Sequence, residues 1–526
     1  MSANPKHSTD LLQQLSAAIG REHVLSDPAE REFYAMDVYN FRELPLAVVR
    51  PGAAAELQAV VRIAAAAGIA LVPRGGGASY TDGYLPATPE SLLIDTSRMN
   101  RIVEINEEDM YVTVEPAVTW HDLWQALKAR NLRSAFWGPF SGIKATVGGS
   151  ASQNSASLGT GNYGISADAI LGFEIVLANG EILRTGAHAA ANGRPFFRWY
   201  GPDLTGLFCG DAGALGIKAS ISLRLIRQPP FDGAASFGFG SFEQMAAGMA
   251  AAARENVAAD NFALDPKLQQ GQLSKTDTKG AVTAALAVAK TARNPFEAAG
   301  KLARMGAAGK RFLAGHDYSA HYTVEGVSRA EVNGKLTVLR QAMAGHGEEI
   351  ANTVPTVIRA MPFMPLYAIL GPKGERWVPM HGIMPFSRVR EFHERLTRLY
   401  ADNAERMRRH KVDKGGMFLA VSTHGFLYEP VFYWEDDRTA FHKRYLPAEY
   451  LKTLPEYPAN PDGRALVGEL RGEIRRIFAS VGAIHMQVGK TYPYMDGRQG
   501  EAARALRELK QQLDPQGIMN PGALQL

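Results

Sequence analysis

The groups best able to move protons gather in two short runs in the second half of this sequence. His485-Met486-Gln487-Val488-Gly489-Lys490-Thr491-Tyr492 sets an imidazole close to an ammonium. A histidine near its ordinary pKa can accept a hydroxyl proton at neutral pH, and a lysine can hold a carboxylate. The bland alternatives are a buried strand histidine and a surface lysine. The other run, His424-Gly425-Phe426-Leu427-Tyr428-Glu429-Pro430-Val431-Phe432-Tyr433-Trp434, places His424, Glu429 and Tyr433 among aromatic rings. Aromatics at alternate strand positions either wall an apolar pocket or pack a sheet core. Met380-His381-Gly382 and Arg359 are weaker candidates. His381, His424, Glu429 and His485 are metal-ligand types, but their spacings match no local metal motif, so no metal is expected.

Glycine suggests what those groups would act beside. In Leu71-Val72-Pro73-Arg74-Gly75-Gly76-Gly77-Ala78-Ser79-Tyr80 an apolar, β-like run ends in proline, arginine, three glycines and two hydroxyl side chains. Glycine lets backbone press directly on a ligand, and successive N–H groups in such a loop make a nest for anions, usually phosphates. A second stretch, 139–149, contains Pro139, Ser141, Thr146, Val147, Gly148 and Gly149, with Asn154 just beyond. A third is Gly159-Thr160-Gly161-Asn162-Tyr163-Gly164. A fourth runs from Asp203 through Gly210-Asp211-Ala212-Gly213-Ala214-Leu215-Gly216-Ile217, and a fifth, 514–522, holds Asn520-Pro521-Gly522. None is a G-x-G-x-x-G fingerprint at a strand-to-helix turn, and no P-loop occurs. Each alone reads as a tight turn. In this order they suggest a long ligand met by backbone at many points, as a dinucleotide held without a Rossmann turn would be.

At 526 residues the chain exceeds one ordinary core, so two or three domains are expected. A formal charge of +4 is small for this length and does not favour nucleic acid. Cys209 is the sole cysteine, which excludes an internal disulfide, a CxxC redox pair and a multi-thiolate zinc site. The polar N-terminus lacks the apolar run of a signal peptide, and no stretch is long enough to span a membrane, so a cytoplasmic protein is expected. The pattern predicts strands at 46–49, 69–72, 91–95 and 111–115, with helices at 11–19, 53–67 and 120–129. It also predicts a hairpin through Asn179-Gly180 and a strand at 215–225. Texture changes at Arg227-Gln228-Pro229-Pro230. Strands at 377–380, 418–422 and 431–434, alternating with a helix at 388–411, then suggest an antiparallel sheet, with Pro379 confining the first to an edge. The basic stretch 281–313 reads as a solvated helix pair, or as a face docking to a membrane surface or acidic partner.

Together the glycine stretches resemble the flavoproteins related to vanillyl-alcohol oxidase and p-cresol methylhydroxylase, including the glycolate oxidase D-subunit and D-lactate dehydrogenase group. The resemblance runs almost continuously over 51–225 and resumes at 514–522. Residues 73–80 look like the family's pyrophosphate loop, and 146–149 with 161–164 like its second FAD-binding stretch. Residues 210–217 are close to its G-S-E-G-T-L-G-I block. The resemblance implies an α+β protein: a two-part FAD-binding domain at 1–228 and 496–526, with a cap domain at 229–495 built on an antiparallel sheet. Backbone donors would hold the pyrophosphate while the cap supplies side chains and excludes water.

Departures from the family narrow the chemistry. Ala78 stands where some members link flavin to histidine, and Cys209 lies in the wrong motif for a cysteinyl bond, so FAD is expected to be non-covalent unless a cap-domain His or Tyr carries it. Ile165 stands where phenol oxidases use an acid, and Met486 and Gln487 near their phenolate-binding pair, which weakens a phenol reading. The expected function is hydride removal from a 2-hydroxy acid or aromatic alcohol to flavin N5. His485 would be the base, with Lys490, Glu429, Tyr433 and His424 as further catalytic candidates. A para-substituted phenol oxidase or dehydrogenase, and a flavin-binding partner protein without catalysis, are the alternatives. Oxygen, quinone, cytochrome or another flavoprotein all remain compatible as electron acceptor, and a homodimer fits as well.

Overall fold

The computed structural model describes residues 5–268, 285–286, 288–289 and 316–526. Those four central positions apart, the basic stretch 281–313 lies outside the described residues. The chain forms two compact units, one of Met1–Ser155, Ser166–Arg227 and Met486–Leu526, the other of Ala156–Ile165 and Gln228–His485.

The first unit begins as the βαβ rhythm predicts. Strands Ala47–Val49 and Ala70–Arg74 both pair in parallel with Ser91–Asp95, and the helix Ala54–Ala67 makes the crossover. Its buried face, Leu57, Val60, Val61 and Ala64, follows helical spacing. Each of the larger side chains contributes about 1.5–3 kcal/mol by leaving water. Gly68, at φ 65°, ends the helix in the left-handed region that glycine tolerates. Leu11, Leu15 and Ile19 of the N-terminal helix close the same core, joined by Ile518 and Met519 from the far end of the chain. The Leu71 amide donates to the Ile518 carbonyl at 2.8 Å and the Asn520 amide to the Leu71 carbonyl at 2.8 Å. A second sheet runs Ile102–Asn106, Tyr111–Val114, Ile217–Arg227, Ile170–Val176, Ile182–Arg184, and Leu132–Ser134 also pairs with Ile217–Arg227.

The second unit is built on an antiparallel sheet of eight described strands. Its order is Glu348–Ile350, Phe231–Phe239, Tyr318–Gly326, Asp260–Leu264, Val412–Val421, Gly425–Trp434, Arg376–Pro379, with Gly382–Met384 also on Gly425–Trp434. Pro379 does sit on an edge strand, where its missing N–H breaks no ladder. The helix expected over 388–411 is two helices, Val389–Asp402 and Ala404–Arg409. They part at Asn403, whose side-chain amide donates back to the Leu399 carbonyl at 2.9 Å and competes with the helical ladder.

Register divides the aromatic strand into two faces. Phe418, Phe426 and Tyr428 point under the helices: Phe418 meets Phe242 at 5.4 Å, and Tyr428 meets Phe392 at 4.8 Å. For these rings the packed-core alternative is the correct one. Leu427, Glu429, Val431 and Tyr433 occupy the other face. Cross-strand pairing extends that face through Met417 and Leu419 to Phe262 and Asp260, then to His321, Thr323 and Glu325.

Candidate functional site

In the first unit, strand Ala70–Arg74 delivers the glycine loop. Arg74 is buried, its guanidinium 4.6 Å from the Tyr34 ring centroid and 4.9 Å from that of Tyr84. The Tyr84 hydroxyl donates to the Gly77 carbonyl at 2.8 Å and to that of Ser79 at 3.2 Å, which fixes Gly75, Gly76, Gly77, Ala78 and Ser79 from below. A Cβ on Gly76 would collide with the Lys144 carbonyl, so this loop lies directly against the turn that follows Pro139 and Ser141. A Cβ on Gly213, at φ 76°, would likewise clash with the Pro73 ring. Thr146 caps the short helix Val147–Gln153, its hydroxyl accepting from the Gly149 amide at 3.1 Å.

One side chain ties these loops together. Asn520, wholly buried, donates to the Gly83 carbonyl at 2.7 Å and the Ala212 carbonyl at 2.6 Å. Its Oδ1 accepts from the Lys490 ammonium at 2.5 Å, and Lys490 also donates to the Leu85 carbonyl at 2.6 Å. Lys490, a sequence candidate for holding a substrate carboxylate, thus has two of its three protons on the protein. Burial pushes it from its usual 10.5 down to about 7. The folded state therefore binds fewer protons than the unfolded chain between about pH 7 and 10.5, and stability from this group rises with pH across that window. Melting temperatures measured from pH 7 to 10 should show an upward component that Lys490→Met removes; an identical slope in the variant would refute the assignment.

The described residues of this unit fit a polar cofactor. Gln153 Oε1 and Asn154 Oδ1 are buried with no hydrogen-bond partner. Both sit at the end of the capped helix, where an incoming donor would satisfy them. Cys209 donates to the Thr205 carbonyl at 3.4 Å, and burial pushes its thiol up to about 12, so it offers no thiolate for a covalent flavin bond.

The second unit holds the third glycine stretch. The Gly159 amide donates to Asp260 at 2.7 Å, the Gly161 amide to the Ala259 carbonyl at 3.0 Å, and the Tyr163 hydroxyl to Glu325 at 3.2 Å. Gly164, at φ 77°, ends the short helix Thr160–Tyr163. Asp260 also accepts a hydroxyl bond from Thr323, and Arg359 is ion-paired to Glu325 and Asp260. His321 is buried between the hydroxyls of Ser236 and Ser319, each 2.9 Å away, and burial lowers its pKa to about 3. Sequence reasoning missed Asp260, His321 and Glu325. They lie on strands with no short motif, and only their shared parity along paired strands reveals them.

The other predicted catalytic residues, Glu429, Tyr433, His424 and His485, scatter within this unit. Glu429 is half-buried on the face it shares with Leu427, Val431 and Tyr433, with no ion pair or hydrogen bond to its carboxylate among the described residues; burial raises its pKa to about 8. Tyr433 lies two positions further along the same face. His424 is in the exposed turn joining Val412–Val421 to Gly425–Trp434. His485 Nδ1 meets the His381 carbonyl at 2.7 Å; a carbonyl only accepts, so Nδ1 carries the proton and Nε2 the lone pair. Its ring packs edge-on against Phe478, which stacks on Phe392 beneath the helices. Burial lowers the imidazole to about 4. It is neutral at physiological pH, but a weaker base than an ordinary histidine.

Residues 45–186 match the FAD binding domain model, and residues 481–524 match that of the FAD linked oxidases, C-terminal domain. These two segments carry an FAD-binding domain and the C-terminal domain found in FAD-linked oxidases, and the chain is a flavoprotein. Its cofactor is FAD. This flavoprotein is 34% identical over 223 residues to glycolate oxidase subunit GlcD of Bacillus subtilis, covering 42% of this chain and 45% of that protein. It is 30% identical over 224 residues to the mitochondrial D-lactate dehydrogenase [cytochrome] of Arabidopsis thaliana, covering 42% and 37%. The match thus spans less than half the length of either relative. The fold extends further. A solved structure of p-cresol methylhydroxylase with substrate bound superposes with a TM-score of 0.74 at 16% identity, over 99% of this chain and 97% of that one. The 4-ethylphenol oxidase from Gulosibacter chungangensis gives 0.68 at 19% identity, over 99% and 97%. Among the described residues of the flavoprotein no helix is long and apolar enough to cross a membrane.

Proposed function

We propose that this flavoprotein is an FAD-dependent oxidoreductase that removes hydride from the carbinol carbon of an alcohol. The observation that carries the reading is Glu429, a carboxyl with no ion pair or hydrogen bond among the described residues, beside Leu427, Val431 and Tyr433 on one strand face, in a chain that binds FAD. FAD, when bound, supplies the hydride acceptor at N5. The substrate hydroxyl must lose its proton as hydride leaves carbon, and the Glu429 carboxylate can take it, whereas Asp260 and Glu325 on the same face are held by Arg359. His485 is the second candidate, its imidazole neutral at any pH above about 4. Lys490 and Asn520 act by holding the glycine loops in place, which keeps the cofactor seat preformed.

Arg359 bears on the choice of alcohol. Its charge is balanced by Glu325 and Asp260, so it does not stand ready to anchor a 2-hydroxy-acid carboxylate. Phe262, Leu427, Val431 and Tyr433 on the same face suit an aromatic alcohol better. The relatives that act on glycolate and D-lactate keep the hydroxy-acid reading in view. Anaerobic mixing of the holoenzyme with candidate donors decides between them. Aromatic alcohols should bleach the flavin's visible band within seconds to minutes, D-lactate-like acids more slowly. Bleaching by 4-alkylphenols alone would overturn the alcohol reading, and no bleaching by any donor would favour a binding role.

A further inference from the structure

In the second unit, just beyond strand Gly425–Trp434, two buried N–H groups of one short segment have no acceptor among the described residues. The first belongs to His442, which has no exposed surface. Its Nδ1 accepts from the Thr439 amide at 3.3 Å. An amide nitrogen only donates, so Nδ1 carries the lone pair and the ring proton sits on Nε2. That Nε2–H meets no partner. The imidazole stays neutral, because burial lowers its pKa to about 3 and the charges of Arg376 and Arg438 act in the same direction. The second group is the Nε–H of Arg438, itself buried and four residues earlier. The rest of that guanidinium is committed. It donates to the Leu451 and Leu454 carbonyls at 3.0 Å and to that of Pro455 at 2.5 Å, and Nη1 lies 3.6 Å from the exposed Glu456.

We propose that Arg438 and His442 hold a small monovalent anion of the halide class. Buried donors left unmet are costly, so an acceptor belongs beside them. Water is the poorer occupant, since it must place two hydrogens of its own. Asp436 is the buried carboxylate whose charge reaches His442, and it cannot take them. Its oxygens already accept five hydrogen bonds, from the Trp434 indole, the Asp437 and Asn460 amides and two nitrogens of Arg464. Those fill the roughly four lone-pair sites of a carboxylate. Glu375, the strand neighbour of Arg376, alternates to the opposite sheet face, where it accepts from the Lys373 amide at 2.7 Å. An anion only accepts, and the potential here suits it. The Arg376 guanidinium stacks on the Trp434 ring at 5.3 Å, and charge-assisted bonds from Arg438 strengthen in a low-dielectric setting. Burial of both donors selects a compact ion over an oxyanion.

Melting of the full-length holoprotein in sodium chloride, sodium bromide and sodium gluconate at equal ionic strength is the test. Chloride and bromide should each raise Tm along a saturating curve, to about 2–4 °C above gluconate. His442→Phe keeps a ring of similar size but no N–H, and it should lose that difference whatever its own starting Tm. Coincident curves in wild type would overturn the proposal, as would a halide effect that survives in His442→Phe. If the variant fails to fold, crystals of the wild-type holoprotein soaked in bromide still decide. An anomalous peak in contact with both His442 Nε2 and Arg438 Nε supports the site. A water in that place, or bromide at the surface as an adventitious ion only, refutes it.

Discussion

Glu429→Gln slows anaerobic flavin reduction by about 10²–10⁴-fold, the usual range for loss of a positioned acid–base group, while leaving FAD bound. The reasoning starts from burial. Glu429 has neither an ion pair nor a hydrogen bond among the described residues, and desolvation alone raises its carboxyl to about 8. A base works only when deprotonated. In the free enzyme the rate of reduction at low substrate should therefore climb with pH and level off above about 8. The amide cannot ionise, so the variant should lose that inflection along with the rate. It is nearly isosteric, which keeps the sheet face intact and separates chemistry from folding. Stopped-flow reduction against pH in both proteins is the measurement. A wild-type inflection that persists unchanged in Glu429→Gln would transfer the role to another group, with His485→Gln the next variant to examine. The raised pKa also has a stability sign. An acid whose folded value lies above its unfolded one destabilises the fold as pH rises between about 4.5 and 8, and Glu429→Gln should remove that loss too.

Asn520→Ala should yield a protein that purifies largely without FAD. The substitution deletes both donors to the Gly83 and Ala212 carbonyls and the acceptor for Lys490. Two neutral bonds at about 1 kcal/mol and one to a charged group at about 1.5–3 kcal/mol sum to about 3–5 kcal/mol, concentrated where the glycine loops converge. Asn520→Asp is the informative companion. It keeps an oxygen for the Lys490 ammonium but loses both donors, so it should fall between wild type and the alanine variant. Flavin absorbance per chain after gel filtration, together with melting temperature, reads out both. Full FAD content in Asn520→Ala would show that the loops hold their places without this clasp.

Much of the cofactor-binding unit was legible in one dimension. Strands at 46–49, 69–72 and 91–95 and the helix between them follow apolar periodicity and glycine stops, which are local properties. The glycine stretches were equally visible, because backbone that must approach other backbone tolerates no Cβ whatever the global fold. The second unit was harder. Phe231–Phe239 carries two glycines and two alanines among its nine residues, so it lacks an alternating signal, yet it pairs along its whole length with Tyr318–Gly326. In the aromatic run only 431–434 was anticipated as strand; the strand spans Gly425–Trp434. The sequence could not say which rings face the helices, because parity acquires meaning only once a partner layer exists.

The sequence carried its cofactor class through the family resemblance of its ordered glycine stretches, and the FAD-binding domain matched at 45–186 bears that class out. Tertiary structure decided the rest. It set the Lys490 ammonium on Leu85 and Asn520, balanced Arg359 with two carboxylates, and set His485 against Phe478. It also left Glu429 without an ion pair or hydrogen bond among the described residues. Each outcome depends on which distant groups share a low-dielectric neighbourhood, and charge pairing and desolvation are properties of three-dimensional proximity that no spacing along the chain encodes.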